Sequence, residues 1–364
     1  MDSRYELVPY EPALKPQLAE LQCHLWSPSR ELNTAYFEWK YERNPYIAAP
    51  LIYIALYAGR AVGMRGFFGT RWTAASPAQE LVAPYADDFV IAPEHRNQGL
   101  ATRIMATAFS DLATRGHPYL VSLSPGPMTF LSSLAMGWRS VGLMRPMRLR
   151  TWRTRIAGRL HRRAPRASRR GPFAEVEAAW DGRRQRRPEL SLESTPRCEA
   201  MALLVERSGS LRLRHVRDAA YFHWRFQHPL SRYRFLYWTD QQLQGYLVLQ
   251  EYVSAYAVKR VTNIVDWEAD NDAIRADLLV AALSLVRGRD LVIWSSCLSE
   301  SVRALLGRSG FQPDPEPDSA ARQRDVLLVR PSGDPQPAET WQFAGQRLLE
   351  LENWDLCMLY SMHG

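Results

Sequence analysis

Lysine is nearly missing from this chain. Lys15, Lys40 and Lys259 are the three among 46 basic residues, so arginine carries almost all of the positive charge. Cysteine is scarce and scattered: Cys23, Cys198, Cys297 and Cys357 form no Cys-x-x-Cys pair, which argues against a disulfide framework and a thiolate zinc site. His24, His95 and His117 are dispersed too, without metal-ligand spacing, so no metal is expected. No apolar run reaches the length of about 18 residues that a membrane-spanning helix needs. The opening Met1-Asp2-Ser3-Arg4-Tyr5-Glu6 lacks the apolar core of a secretion signal, and reduced thiols fit a cytoplasmic protein.

What is present describes a globular chain, 46% hydrophobic and 23% charged, and its 364 residues are enough for two domains. The net charge of +8 is unevenly spread. Much of the arginine lies between Arg145 and Arg187, in stretches such as Arg150-Thr-Trp-Arg153-Thr-Arg155 and His161-Arg162-Arg163-Ala-Pro-Arg166. A solvated linker over 150–195 is the plain reading, with RNA or an anionic membrane face as the alternative partner of that stretch.

The most informative segment is Val90-Ile91-Ala92-Pro93-Glu94-His95-Arg96-Asn97-Gln98-Gly99-Leu100-Ala101-Thr102. It reads as a strand ending at a proline, a turn rich in amide donors, and the start of a helix. Leu100, Ile104, Ala108, Phe109 and Leu112 then recur at helical spacing to about Arg115, and Gly116-His117-Pro118 stops the helix before a strand, Tyr119–Ser124. Such a turn aims several N–H groups and a positive helix end at one point, which suits a pyrophosphate.

Arg96-x-x-Gly99-x-Ala101 resembles the acyl-CoA-binding signature of the GNAT (GCN5-related) N-acyltransferase superfamily. The resemblance implies acetyl-CoA or another acyl-CoA as co-substrate, with main-chain groups of Phe89, Val90 and Ile91 on the pantetheine arm. It places the amides of Gln98, Gly99, Leu100, Ala101 and Thr102, beside Asn97, on the pyrophosphate, with Arg96 adding charge. The reaction implied is attack by a neutral amine on the thioester, through a tetrahedral oxyanion, with CoA thiolate leaving.

A repeat sets the architecture. Tyr36-Phe37-Glu38-Trp39-Lys40-Tyr41-Glu42-Arg43-Asn44-Pro45 recurs as Tyr221-Phe222-His223-Trp224-Arg225-Phe226-Gln227-His228-Pro229, and Gly137-Trp138 recurs as Gly310-Phe311. Each copy is followed by a hairpin and a long strand, Leu81–Ile91 in one half and Lys259–Trp267 in the other. The expected fold is therefore α/β (α+β): two tandem units, each a mixed, twisted sheet flanked by helices. Residues 1–149 form the first, 150–195 the linker and 196–364 the second. Where the first unit has Arg96–Ala101, the second has Glu268-Ala269-Asp270-Asn271-Asp272-Ala273, without glycine and with carboxylates that would repel phosphate. The second unit thus completes the acceptor pocket or serves as scaffold. The layout is similar to that of Eis-like acetyltransferases.

Candidate chemistry is less settled. Asp87 or Asp88 is placed to relay the amine's proton, and strand alternation expects them on opposite faces. Family members often carry a tyrosine before the Gly-aromatic pair. Here the segment is Leu131-Ser132-Ser133-Leu134-Ala135-Met136, so Ser133, Tyr85 or Tyr119 would have to supply the acid, or CoA leaves unassisted. Tyr36, Glu38 and Trp39 are candidates for the acceptor wall, with core packing as the alternative. The acceptor implied is a small-molecule amine such as an amino sugar, an amino acid or a biosynthetic intermediate. A Fem-like, aminoacyl-tRNA-dependent enzyme and a non-catalytic CoA-binding protein are the competing readings. In the tail, Trp341–Leu349 reads as a short helix and Trp354–Tyr360 as a closing strand. The Eis-like resemblance implies a terminal carboxylate at the site, a part open to Gly364, but a frayed terminus is the plainer reading.

Overall fold

Two mixed sheets, each flanked by helices, carry the chain. The computed structural model describes residues 4–74, 78–123, 126–150, 188–252, 261–286, 290–314, 325–334 and 337–362. The arginine-rich stretch from 151 to 187, Lys259 and Gly364 lie outside the described residues.

In the first half, β1 (Tyr5–Pro9) leads to α1 (Lys15–Leu21) and α2 (Arg30–Phe37), which runs on as one π-helical turn, Glu38–Glu42. β2 (Leu51–Tyr57), β3 (Arg60–Ala74) and β4 (Gln79–Ile91) follow, then α3 (Leu100–Thr114), β5 (Tyr119–Leu123), α4 (Pro127–Ala135), β6 (Arg139–Leu143) and β7 (Pro146–Leu149). The second half repeats the order with β8 (Leu190–Glu193), α5 (Cys198–Ser208), β9 (Leu213–His215), α6 (Ala219–Arg225), β10 (Ser231–Asp240), β11 (Gln242–Tyr252) and β12 (Val261–Ala269). α7 (Asp272–Leu285), β13 (Asp290–Trp294), α8 (Glu300–Arg308), β14 (Gln312–Pro313) and β15 (Val326–Pro331) complete it. A hairpin of β16 (Gln342–Phe343) and β17 (Gln346–Arg347) and a last strand, β18 (Trp354–Asp355), form the tail.

The two sheets exchange strands. The first has the order β1-β2-β3-β4-β5-β15-β6, and the second β14-β7-β13-β12-β11-β10-β8. β15 comes from the second half, yet pairs Leu327 with Leu123 on β5 and Val329 with Arg139 on β6. β7 comes from the first half, yet pairs Pro146 with Trp294 on β13. The crossing is tied down where the chains pass: Met144 N donates to Asp325 O at 2.8 Å, and the Ser295 hydroxyl donates to Arg145 O at 2.6 Å. A boundary drawn at residue 149 therefore divides the chain and not the sheets.

Between the two long parallel neighbours of each sheet the backbone parts. β4 meets β5 at one register pair, Tyr85 with Val121, and diverges beyond it. β12 and β13 pair from Val261 to Asn263 and then separate. These gaps open at the carboxyl ends of the strands, the usual ligand position in open α/β sheets.

Three local expectations change. Leu190–Glu193, expected in the linker, is β8, paired with Leu236 and its neighbours on β10; four residues carry too little periodicity to announce a strand. Trp341–Leu349 is the β16–β17 hairpin, turned at Ala344 (φ 50°) and Gly345 (φ 76°). Trp354–Tyr360 is β18, parallel to β9, followed by a 3-10 turn, Met358–Tyr360. In both tail segments long-range packing decides: Trp341, Trp354 and Tyr360 are all buried in the core between the halves.

Candidate active site

α3 starts without a side-chain cap. Its N-cap is Gly99 at φ 71°, a left-handed backbone that glycine adopts without strain, preceded by Asn97 at φ 59°. The first helical amides have no partner inside a helix. Here the amides of Gln98, Gly99, Leu100, Ala101 and Thr102 meet no protein acceptor among the described residues, and Asn97, Gln98 and Gly99 are exposed. Arg96, also exposed, braces the turn by donating from Nε to Ile91 O at 3.0 Å. His95 faces away, its ring packed on Tyr5 and Tyr57. The result is an open cluster of donors at a positive helix end, next to the β4–β5 gap.

On β4 the ladder slips. Asp87 faces Gly66 and Phe89 faces Arg65, so Asp88 is the extra residue of a β-bulge, at φ 49°. The bulge defeats the alternation expected for neighbouring strand residues, and both carboxylates reach one ammonium. Lys40 Nζ lies 2.6 Å from Asp87 Oδ2 and 2.9 Å from Asp88 Oδ1. The Lys40 and Asp88 side chains are fully buried, whereas that of Asp87 is 16% exposed.

Asp88 is saturated. Gln22 Nε2, Trp26 Nε1 and the Tyr41 hydroxyl each donate to it at 2.8 Å, beside Lys40. Gly66 permits this, because a Cβ there would stand 2.0 Å from the Tyr41 hydroxyl oxygen. The π-helical turn permits it as well. It turns Trp39, Lys40 and Tyr41, three residues in succession, into the interior. Burial and the nearby carboxylates push the Tyr36 and Tyr41 hydroxyls well above the ordinary tyrosine range, so both stay protonated, Tyr41 donating to Asp88 and Tyr36 accepting from Lys40 at 3.1 Å. Asp87 is the carboxylate of the cluster that is partly open to a ligand. It is placed to hold an incoming ammonium and to take its proton.

The other candidates divide. Val90 is buried, while Phe89 and Ile91 are half-buried along the β4 edge beyond the last β5 pair. Ser133 is buried on α4, and its carbonyl accepts from Met136 and Trp138. The Tyr85 hydroxyl donates across the gap to Leu123 O at 2.5 Å and is pushed well up by burial, while the Tyr119 hydroxyl is turned to Gln342 O in the tail. Tyr36 and Trp39 are buried in the core between the halves, and Glu38 is half-exposed, paired with Lys15 at 3.1 Å. Packing explains this aromatic pair better than an acceptor wall.

Lys40, Gln22 and Trp26 escape the sequence reading, which places Tyr41 only on the helix beside Tyr36 and Trp39. One signal was available: the repeat keeps a cation at its fifth position, Lys40 in one copy and Arg225 in the other. Arg225 is also fully buried, but donates to the carbonyls of Leu359 and Ser361 and to the Tyr233 hydroxyl.

The second unit has lost the anion site. Asn271 caps α7 by accepting from Ile274 N at 3.0 Å, and Asp270 pairs with Arg207. Glu268 pairs with Arg217, which also holds Asp266. Tail residues Leu356, Cys357, Met358 and Tyr360 line the β12–β13 gap.

Residues 16–126, which span α1 to the residue before α4, match the family model of acetyltransferases (GNAT). The whole chain has the corresponding duplicated fold. The family match thus falls on the first unit, and the fold of the whole chain is similar to a tandem GNAT layout. The chain resembles a tandem GNAT protein from the clavulanic acid biosynthesis pathway over 90% of its own length and 99% of that chain, at 14% identity and a TM-score of 0.51. It also resembles a GCN5-related N-acetyltransferase from Anabaena variabilis, with 14% identity over 91% of this chain and 73% of that one and a TM-score of 0.60. A GCN5-related N-acetyltransferase from Kribbella flavida matches at 12% identity, covering 90% and 72%, with a TM-score of 0.54. At such identities the likeness to these structures is one of fold. No curated protein gives a significant sequence match. The chemistry of the family matched by the first unit is acyl transfer. No group of metal-ligating side chains occurs among the described residues, and no helix there is long and apolar enough to cross a membrane.

Proposed function

We propose that this protein is a tandem GNAT enzyme that transfers the acyl group of acetyl-CoA, or of another acyl-CoA, to the primary amine of a small molecule. The observation that carries this reading is the placement of Asp87. It is a half-open carboxylate at the β4 bulge, on the same strand edge that leads to the uncapped start of α3. The amides of Gln98–Thr102, with Arg96, hold the pyrophosphate. The β4 edge from Phe89 to Ile91 takes the pantetheine arm in the gap beside β5. The thioester then lies near the bulge, Asp87 accepts the ammonium proton, and the freed amine attacks the carbonyl. CoA leaves as thiolate, because the Tyr85 and Tyr119 hydroxyls are engaged elsewhere and Ser133 is buried on α4. The second unit contributes no nucleotide site. The experiment is release of free CoA thiol, followed with acetyl-CoA and longer acyl-CoAs against a panel of amines, without nucleic acid. Thiol release that requires both acyl-CoA and an amine supports the reading. Acyl-CoA binding without turnover of any amine refutes the catalytic part.

A further inference from the structure

Every other deeply buried cation named so far has partners. Lys40 has two carboxylates, Arg217 has Asp266 and Glu268, and Arg225 has two carbonyls and a hydroxyl. Arg65 is different. It lies on β3 directly opposite Phe89, the β4 residue just past the Asp88 bulge and beyond the last β5 pair, and is 3% exposed. Its guanidinium carbon stands 5.2 Å from the Phe89 ring and 5.6 Å from the Phe67 ring. Among the described residues it makes no hydrogen bond and no ion pair, and its Nε is buried without a partner. Phe67 packs in the core beneath α3 with Leu100 and Ile104, so Arg65 sits on the α3 face of the sheet, behind the bulge that carries Asp87.

A buried guanidinium packed against two rings, reached by Asp87 and Asp88 only through space and hydrogen-bonded by no acceptor, is expensive to maintain. Such a group is typically retained where a ligand supplies the missing acceptor, and its planar fork fits a carboxylate. The local charge agrees. Lys40 and Arg65 balance Asp87 and Asp88, so an amine arriving as ammonium leaves one positive charge, which a ligand carboxylate cancels.

We propose that Arg65 receives a carboxylate of the reacting pair, carried either by the acyl group of the donor or by the amine acceptor. This rests on the acyl-CoA-dependent reading above and narrows its substrate class.

The test compares wild type, Arg65→Gln and Arg65→Lys. Each is titrated by calorimetry with acetyl-CoA and with succinyl-CoA, and each is assayed for CoA release with α-amino acids paired against their amides. Wild type should favour the carboxylate-bearing member of one comparison by about tenfold or more. Arg65→Gln should abolish that preference, and Arg65→Lys should keep part of it. A preference among donors assigns the carboxylate to the acyl group, and one among acceptors assigns it to the amine. The proposal is overturned if wild type treats charged and neutral members alike in both arms, if the preference survives in Arg65→Gln, or if that variant weakens both members equally. Melting curves accompany each variant, and where Arg65→Gln fails to fold, the wild-type and Arg65→Lys ratios decide. Acetyl-CoA binding without any carboxylate preference defeats this inference alone. Absence of all acyl-CoA binding defeats the proposed function and this inference with it.

Discussion

Trp39 and Trp224 stack across the two halves of the chain, ring centroids 4.7 Å apart and planes within 5° of parallel. Each indole N–H donates to the other residue's carbonyl oxygen, Trp39 to Trp224 O at 2.6 Å and Trp224 to Trp39 O at 2.7 Å. A contact that reads the same from either side marks a pseudo-twofold axis, as in an isologous dimer. The exchange of β7 and β15 obeys the same symmetry. The duplicated chain is thus built as a strand-swapped dimer whose two copies are covalently joined.

Truncating either indole removes a stacked ring and one buried hydrogen bond, and leaves the other residue's carbonyl without its donor. Trp39→Ala and Trp224→Ala should each lose about 3–5 kcal/mol of stability. The double variant should lose less than the sum, since the residues share their partners. Urea unfolding of the four proteins measures this, and additive losses would contradict the mutual contact.

The strand exchange makes the halves interdependent. Residues 1–149 expressed alone lack β15 between β5 and β6, and should be insoluble or aggregate through those open edges. Co-expression with residues 150–364 should recover a soluble pair that co-purifies. A cooperative thermal transition from 1–149 alone would show that the exchange is dispensable.

Asp87 and Asp88 are neighbours with separable roles. Asp88→Asn places two donor hydrogens among four donors and weakens a buried ion pair, and should destabilise the fold by about 3–5 kcal/mol. Asp87→Asn leaves that network in place, and should lower the rate of CoA release by about 10²–10⁴-fold with a far smaller change in melting temperature. Measuring melting and kcat on both variants separates the roles, and equal effects on both readouts would merge them.

His215 provides a pH signature. Burial lowers its pKa from 6.5 to about 3, against a smaller raising effect of its bond to Val216 O. Below the unfolded value the unfolded chain binds a proton that the folded chain refuses. Stability should therefore fall as pH drops from 6.5 towards 3, where the folded protein at last protonates. The slope from this one group is about 1.4 kcal/mol per pH unit. Urea midpoints between about pH 7 and about pH 4 should be steeper in wild type than in His215→Gln. Parallel slopes would remove His215 from the acid response.

The signature turn, the duplication and the order of strands are legible in the chain because each has a local pattern: Gly99 between strand and helix, the Tyr-Phe-x-Trp motif, and alternating or helical spacing. The strand exchange has no such pattern. β7 and β15 are ordinary apolar strands, and nothing in Met144-Arg145 or Asp325 announces which sheet each will join. Lys40 and Arg65 are hidden for a related reason. Their meaning depends on a bulge at Asp88 and a π-helical turn at Glu38–Glu42, both of which break the periodicities that sequence reasoning relies on. The tail misleads in the same way, since Trp354 and Tyr360 are placed by partners far along the chain.

Calorimetric titration of the full chain with acetyl-CoA, beside Gly99→Glu, tests the central claim most directly. The Gly99 site has room for a side chain, with nothing within 4 Å of an added Cβ. The substitution therefore acts through the left-handed backbone and the added negative charge, and not through crowding. One molecule should bind per chain, at the first unit, with binding lost in Gly99→Glu and the melting curve retained. Two molecules per chain, or unchanged binding in a folded Gly99→Glu, would contradict the account.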